Sequence, residues 1–170
     1  LGLAGGASLA GFAAFIKSSI NAADEMSKLS QSTGVAVEQL AGLQLAFRQS
    51  GLEAGDVGSN MAKLNKSIAD GSVAFAAMGI SVKNADGSLK GTRQVLGEVA
   101  EKFAGYEDGA AKARLAQELF GKSGAAMIPL LNGGAAALEE FDAMAQKRGL
   151  TMDDRTVKQA EKFNDTLDLI

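Results

Sequence analysis

The first residues that suggest chemistry are Gly121-Lys122-Ser123, which match the end of the phosphate-loop pattern Gly-x-x-x-x-Gly-Lys-Ser/Thr. In that loop, successive backbone N–H groups cradle a phosphate and the lysine neutralises it. The pattern also needs glycine where Ala116 stands, and a buried strand where Ala110 to Phe120 carries helical apolar spacing. These residues read instead as a helix-breaking turn. Asn84, Asp86, Gly87 and Ser88 have the look of a calcium loop. With Gly87 at its sixth position, however, the first and twelfth positions fall on Val82 and Arg93, where carboxylates are required. A polar turn remains. Adjacent carboxylates occur at Asp24-Glu25, Glu139-Glu140 and Asp153-Asp154. Neighbours on a helix point in different directions, so none of these is a facing acid–base couple. No serine lies in a Gly-x-Ser-x-Gly elbow.

Composition narrows the chemistry further. The 170 residues contain no Cys and no His, which removes thiol nucleophiles, thiolate metal sites, the usual general base and the commonest transition-metal ligand. An enzyme is not expected, and neither is a cofactor or a metal. Seventeen basic against twenty acidic side chains give a net charge of -3, so no specific nucleic-acid binding is expected.

The elements that would carry these residues are helical. Hydrophobic residues make up 46%, Pro occurs once and aromatics are 5%. Such an Ala- and Leu-rich composition favours an all-α fold. The 21 glycines argue for several short amphipathic helices joined by Gly-rich turns rather than one rod. Residues 1–21 form an Ala/Gly-rich apolar segment continuing into a first helix, expected over Ala7 to Ser32 with Leu9, Phe12, Ile16, Ile20, Ala23, Met26 and Leu29 as its stripe. Leu1 to Ile16 is shorter than the ~20 residues that span a bilayer. A second helix carries Val37, Leu40, Leu43 and Phe47 and stops at Gly51. A third, capped by Asp56, carries Val57, Met61, Leu64 and Ile68, with Phe75 and Met78 continuing its register past Gly71.

From Ile80 to Leu89 the pattern predicts a small extended loop or minimal hairpin around Asn84-Ala85-Asp86-Gly87. Thr92 and Asp108 are candidate caps for helices carrying Leu96, Val99 and Phe103, and Leu115, Leu119 and Phe120. Ala125 to Leu131 is apolar and disturbed by Pro129; a helix with Leu138, Phe141 and Ala145 then ends at Gly149. Thr151 with Asp154 resembles a capping box ahead of a last helix bearing Val157, Ala160, Phe163, Leu167 and Ile170. The small-residue spacings Gly2/Gly6, Ala7/Gly11 and Gly105/Gly109 are what chance supplies in such a chain. The start at Leu1 and the end within an apolar run read as a piece of a longer protein.

Several stretches, in order and spacing, resemble the conserved region of phage and prophage tail tape measure proteins. They are Ala22 to Leu43, Gln49-Ser50-Gly51, Met78 to Leu89, Leu119 to Leu131 (LFGKSGAAMIPLL), Asn132-Gly133-Gly134, Gly149-Leu150 and Asn164-Asp165. The resemblance covers most of Ala22 to Asp168, and residues 22–170 are assigned to this region. It implies a structural assembly protein of the virion that occupies the tail tube lumen, sets tail length and is expelled during genome delivery, after assembly in the host cytoplasm. The implied partners are sister copies, the tail tube protein, tail assembly chaperones and tail-tip or initiator proteins.

As one straight helix, 170 residues would cover ~255 Å. The glycine breaks point instead to a folded or jointed docking module of a ruler whose rod lies elsewhere. Its apolar stripes could require sister copies, leaving the isolated segment elongated or loosely packed. The candidate packing or partner-facing residues are Val57, Met61, Leu64 and Ile68, with Phe120, Ile128, Leu130 and Leu131. The competing reading is a membrane-active helical module acting at the host membrane through Leu1 to Ile16 and Ala125 to Leu131.

Overall fold

A computed structural model describes residues 22–152. Helix α1 runs over 22–33 and stops at Gly34, whose φ of +67° is the left-handed turn that glycine adopts without strain. The turn is fixed by Thr33, whose buried hydroxyl donates to the Leu29 carbonyl at 2.6 Å and accepts from the Val35 N–H at 3.3 Å. There follow α2 (Val37–Gln49), α3 (Asp56–Asp70), α4 (Val73–Met78), α5 (Thr92–Ala104), α6 (Ala110–Phe120), a 3-10 turn (Gly124–Met127), α7 (Ile128–Leu131) and α8 (Gly134–Lys147). The fold is all-α, with no strand among the described residues beyond a single antiparallel bridge, Lys83 to Leu89. That bridge, with the Lys90 N–H donating to the Val82 carbonyl at 2.9 Å, is the minimal hairpin expected between Ile80 and Leu89.

Helix α5 lies at the centre, packed against α3, α7 and α8, while α8 also packs on α2 and α3 on α6. Val95, Leu96, Val99, Ala100 and Phe103 bury one face of α5 completely. The expected stripe of α2 is equally buried. The stripes do not wait for sister copies: the apolar faces of α2 to α8 meet in one continuous core.

Three expected caps are corrected. The residues preceding α3, α5 and α6 are Gly55, Gly91 and Gly109, with no side-chain cap bond. Asp56 and Thr92 are already helical, and Asp108 turns to Lys112 and Asn132 instead. Side-chain capping appears where none was expected, at Ser72, whose hydroxyl accepts from the Ala74 N–H. It starts α4 after Gly71 (φ +66°), so Phe75 and Met78 reach the core from a separate short helix, not by continuing the α3 register. Pro129 sits in the first turn of α7, where its missing N–H costs no hydrogen bond. The expected last helix, Asp154, and the first helix before residue 22 lie outside the described residues.

Leu64 is fully buried on α3. Leu64→Ala is expected to destabilise the chain by ~2–5 kcal/mol, read from urea unfolding followed by circular dichroism. A change below ~0.5 kcal/mol, the size expected at a surface position, would move the α3 stripe out of the core.

Candidate interaction surface

Gly121-Lys122-Ser123 follows the carboxyl end of α6, where the helix presents carbonyls rather than free N–H groups. The Gly121 N–H donates to the Gln117 carbonyl and the Gly124 N–H to the Gly121 carbonyl. Lys122 and Ser123 point to solvent. Gly124 presses on α6: a Cβ there would lie 2.1 Å from the Ala116 carbonyl oxygen. The motif is a hairpin bend that folds the 3-10 turn back across its own helix.

The Asn84–Ser88 turn is fully exposed. The Asp86 carboxylate accepts from the Ser88 hydroxyl at 2.6 Å and the Ser88 N–H at 2.9 Å, which hold its pKa below the ordinary 3.8. Among the carboxylate pairs, Glu139 and Glu140 are exposed, Asp24 pairs with Lys28 at 2.6 Å, and Asp153-Asp154 lies outside the described residues. No group of three or more carboxylates forms a metal-binding cluster among the described residues. Gly105 and Gly109 flank the α5–α6 link and do not face a helix partner through a small-residue stripe.

Val57, Met61, Leu64, Ile68, Phe120, Leu130 and Leu131 come together in the core, and Ile128 packs at its edge, half-buried. The Ser67 hydroxyl donates to the Leu119 carbonyl at 3.0 Å, tying α3 to the end of α6. Met127, Leu130 and Leu131 are buried, so Ala125 to Leu131 presents no continuous apolar face outward. No described helix is long and apolar enough to cross a membrane.

Two charged ties are not visible in the apolar pattern. Lys112 is almost wholly buried. Its ammonium donates to the Tyr106 carbonyl at 2.9 Å and to Asp108 at 2.8 Å, and lies 5.9 Å from the centre of the Phe103 ring. With the Asn132 amide donating to the same carboxylate, these bonds hold the Asp108 pKa below its ordinary value. The Asp108/Lys112 spacing of four was the available signal. The second tie joins α5 to α8: Arg93 donates to Asp142 at 2.7 Å, with side chains only 12% and 18% exposed. Nothing in sequence spacing links residues so far apart. Burial raises the Asp142 pKa above 3.8, and the nearby Arg93 guanidinium opposes that rise only in part.

An apolar opening among the described residues lies between α1, α2 and the chain after α8. Ala22, Met26, Leu29, Gln44, Leu150 and Met152 line a cleft of about 440 Å³. Leu150, half-exposed at 51%, also borders a neighbouring recess beside Leu45 and Arg48. Thioether and leucine side chains make this an adaptable contact surface, with no nucleophile or paired acid and base.

Two outcomes test the Arg93–Asp142 tie. Asp142→Leu alone strands a buried guanidinium and should cost ~3–5 kcal/mol, whereas adding Arg93→Met should recover most of that loss in urea unfolding. The raised Asp142 pKa means the folded chain holds this proton more tightly than the unfolded chain. Its contribution to stability therefore grows as pH falls from neutrality through the raised pKa and levels off below 3.8. The urea midpoint of the wild type should accordingly rise relative to Asp142→Asn on acidification. Asp86 and Asp108 titrate in the opposite sense in both proteins and cancel in the difference. A gap unaffected by pH would contradict this account.

A family model described as "Phage-related minor tail protein" matches residues 4–121, through to the glycine that ends α6. No curated protein and no solved structure matches the chain. The match spans more than half of the sequence, and the chain belongs to the phage-related minor tail protein family.

Proposed function

We propose that this chain is the folded module of a tail tape measure protein, the component that occupies the tail tube lumen, sets tail length and is expelled at genome delivery. Membership of the minor tail family makes the chain a structural component of a phage tail that contacts other tail components. The finer reading is supported by the stretches that resemble tape measure proteins. LFGKSGAAMIPLL, the most specific of them, coincides with the bend at Gly121 to Gly124 and with the buried Met127, Leu130 and Leu131, so its residues have a structural reason to be as they are.

The single observation carrying the functional class is that the polar groups of the described residues hold helices and links in place rather than converge on a reactive centre. Arg93 and Asp142 join α5 to α8, Lys90 and Glu98 at 2.8 Å pin the segment before α5 to that helix, and Lys112 and Asp108 hold the start of α6. The role is assembly, not catalysis. The module docks to sister copies, the tube protein, assembly chaperones or the tail-tip initiator. The competing membrane reading draws less support: the apolar residues of Ala125 to Leu131 that would insert are in large part held in the core, and its other segment, Leu1 to Ile16, lies outside the described residues.

In-frame deletion of residues 22–152 from the parent gene tests the proposal. Loss of a docking module is expected to abolish tails in negative-stain images of lysates. Shorter but infectious tails would show a spacer and defeat the docking role.

A further inference from the structure

The two ends of the described region meet. Ala23 and Val37 form a small buried cluster, and Met26 of α1 and Met152 from beyond α8 both pack against it. Ala22, Glu25, Met26 and Leu29 line one side of the same cleft that Leu150 and Met152 line on the other. The cause is local. Gly149, at φ +66°, reverses the chain at the end of α8, and the Leu150 N–H donates to the Ala145 carbonyl at 2.9 Å. This six-to-one bond turns the chain back instead of letting it run on from the helix. Residues 150–152 are thereby delivered to α1 and α2, the elements where the described chain started.

We infer that residues 22–152 form a side-hung module, which the polypeptide joins and leaves at a single pole, so that the module adds almost nothing to the distance the protein spans. Side chains in contact across packed helices leave backbones ~10 Å apart. The same residues as one helix would span ~200 Å. The difference is large enough to be read directly from tail lengths. The consequence for tail length rests on the tape measure reading proposed above; the meeting of the two ends does not.

The experiment uses the full-length protein in assembled tails. In one arm, a second copy of residues 22–152 is inserted in frame after the first. In a control, the same number of residues of regular helical sequence is inserted elsewhere in the parent chain. Tail lengths are measured by electron microscopy. The duplicated module is expected to change tail length by no more than ~10 Å while the control lengthens it by ~200 Å. An increase of ~200 Å from the duplicated module overturns the inference. A control that leaves length unchanged removes the ruler reading, and the pole is then decided by the second arm.

In that arm, Ala22→Cys and Met152→Cys are introduced into a segment that has no cysteine of its own. Purified tails are treated with a short bis-maleimide, and peptides are identified by mass spectrometry. A cross-linked 22–152 peptide pair supports the single pole. Two singly labelled peptides with no cross-link refute it, whatever the tail lengths.

Discussion

Helix α8 can lie against α2 because position 42 has no side chain. A Cβ on Gly42 would sit 2.8 Å from the Asp142 Cα and 2.1 Å from its Oδ1, distances that no packed pair of atoms sustains. With glycine there, the α8 backbone comes close enough for Asp142 to be enclosed between α2 and α5, where it meets Arg93. Burial of the carboxyl, its raised pKa and the strength of the tie all derive from this one approach. The fit is incomplete: Asp142 Oδ1 and Arg93 Nε are buried without a hydrogen-bond partner. A pair that leaves lone groups unsatisfied contributes less to stability than to fixing which surfaces meet. It sets the position of α8, and α8 joins α2 to the central α5.

A second close approach does similar work at the other side of the core. Gly124 lies on the Ala116 and Gln117 backbone, so the chain can fold back on α6 and deliver Met127, Leu130 and Leu131 to the interior. The Gly-Lys-Ser-Gly sequence thus has a packing explanation at its two glycines and a solvent-facing lysine and serine between them. Its likeness to a phosphate loop comes from shared glycine chemistry, the tolerance of close backbone approach, applied to a helix carboxyl end rather than to an anion.

Much of this fold was legible because its helices are bounded by glycines and striped at steps of three and four. Gly51 and Gly149, at which two helices were expected to stop, adopt the left-handed turn, as do Gly34 and Gly79. The buried stripes of α2 and α5 are those the periodicity picks out. The caps were not legible. Asp56, Thr92 and Asp108 have capping side chains at plausible places, but Asp56 and Thr92 are already helical, and Thr92 and Asp108 have a competing use. Thr92 faces Asn65 and Gly34 across the α3–α5 contact, and Asp108 neutralises a buried lysine. Such choices depend on neighbours distant in sequence. So do the roles of Gly42 and Gly124, which look like ordinary small residues until the opposing backbone is in place. For the candidate site, the apolar residues were identified but whether they faced inward or outward was not, since one stripe serves a core and an interface equally well.

The same close packing engages several polar groups of the described residues with partners inside the fold. Lys112 donates to a carbonyl and a carboxylate, Glu98 accepts from Lys90, and Ser67 donates to the end of α6. The partly unsatisfied pair, Arg93 and Asp142, is enclosed between helices rather than opened to a cleft. An apolar and adaptable cleft lies at the pole where α1 and the chain beyond α8 meet.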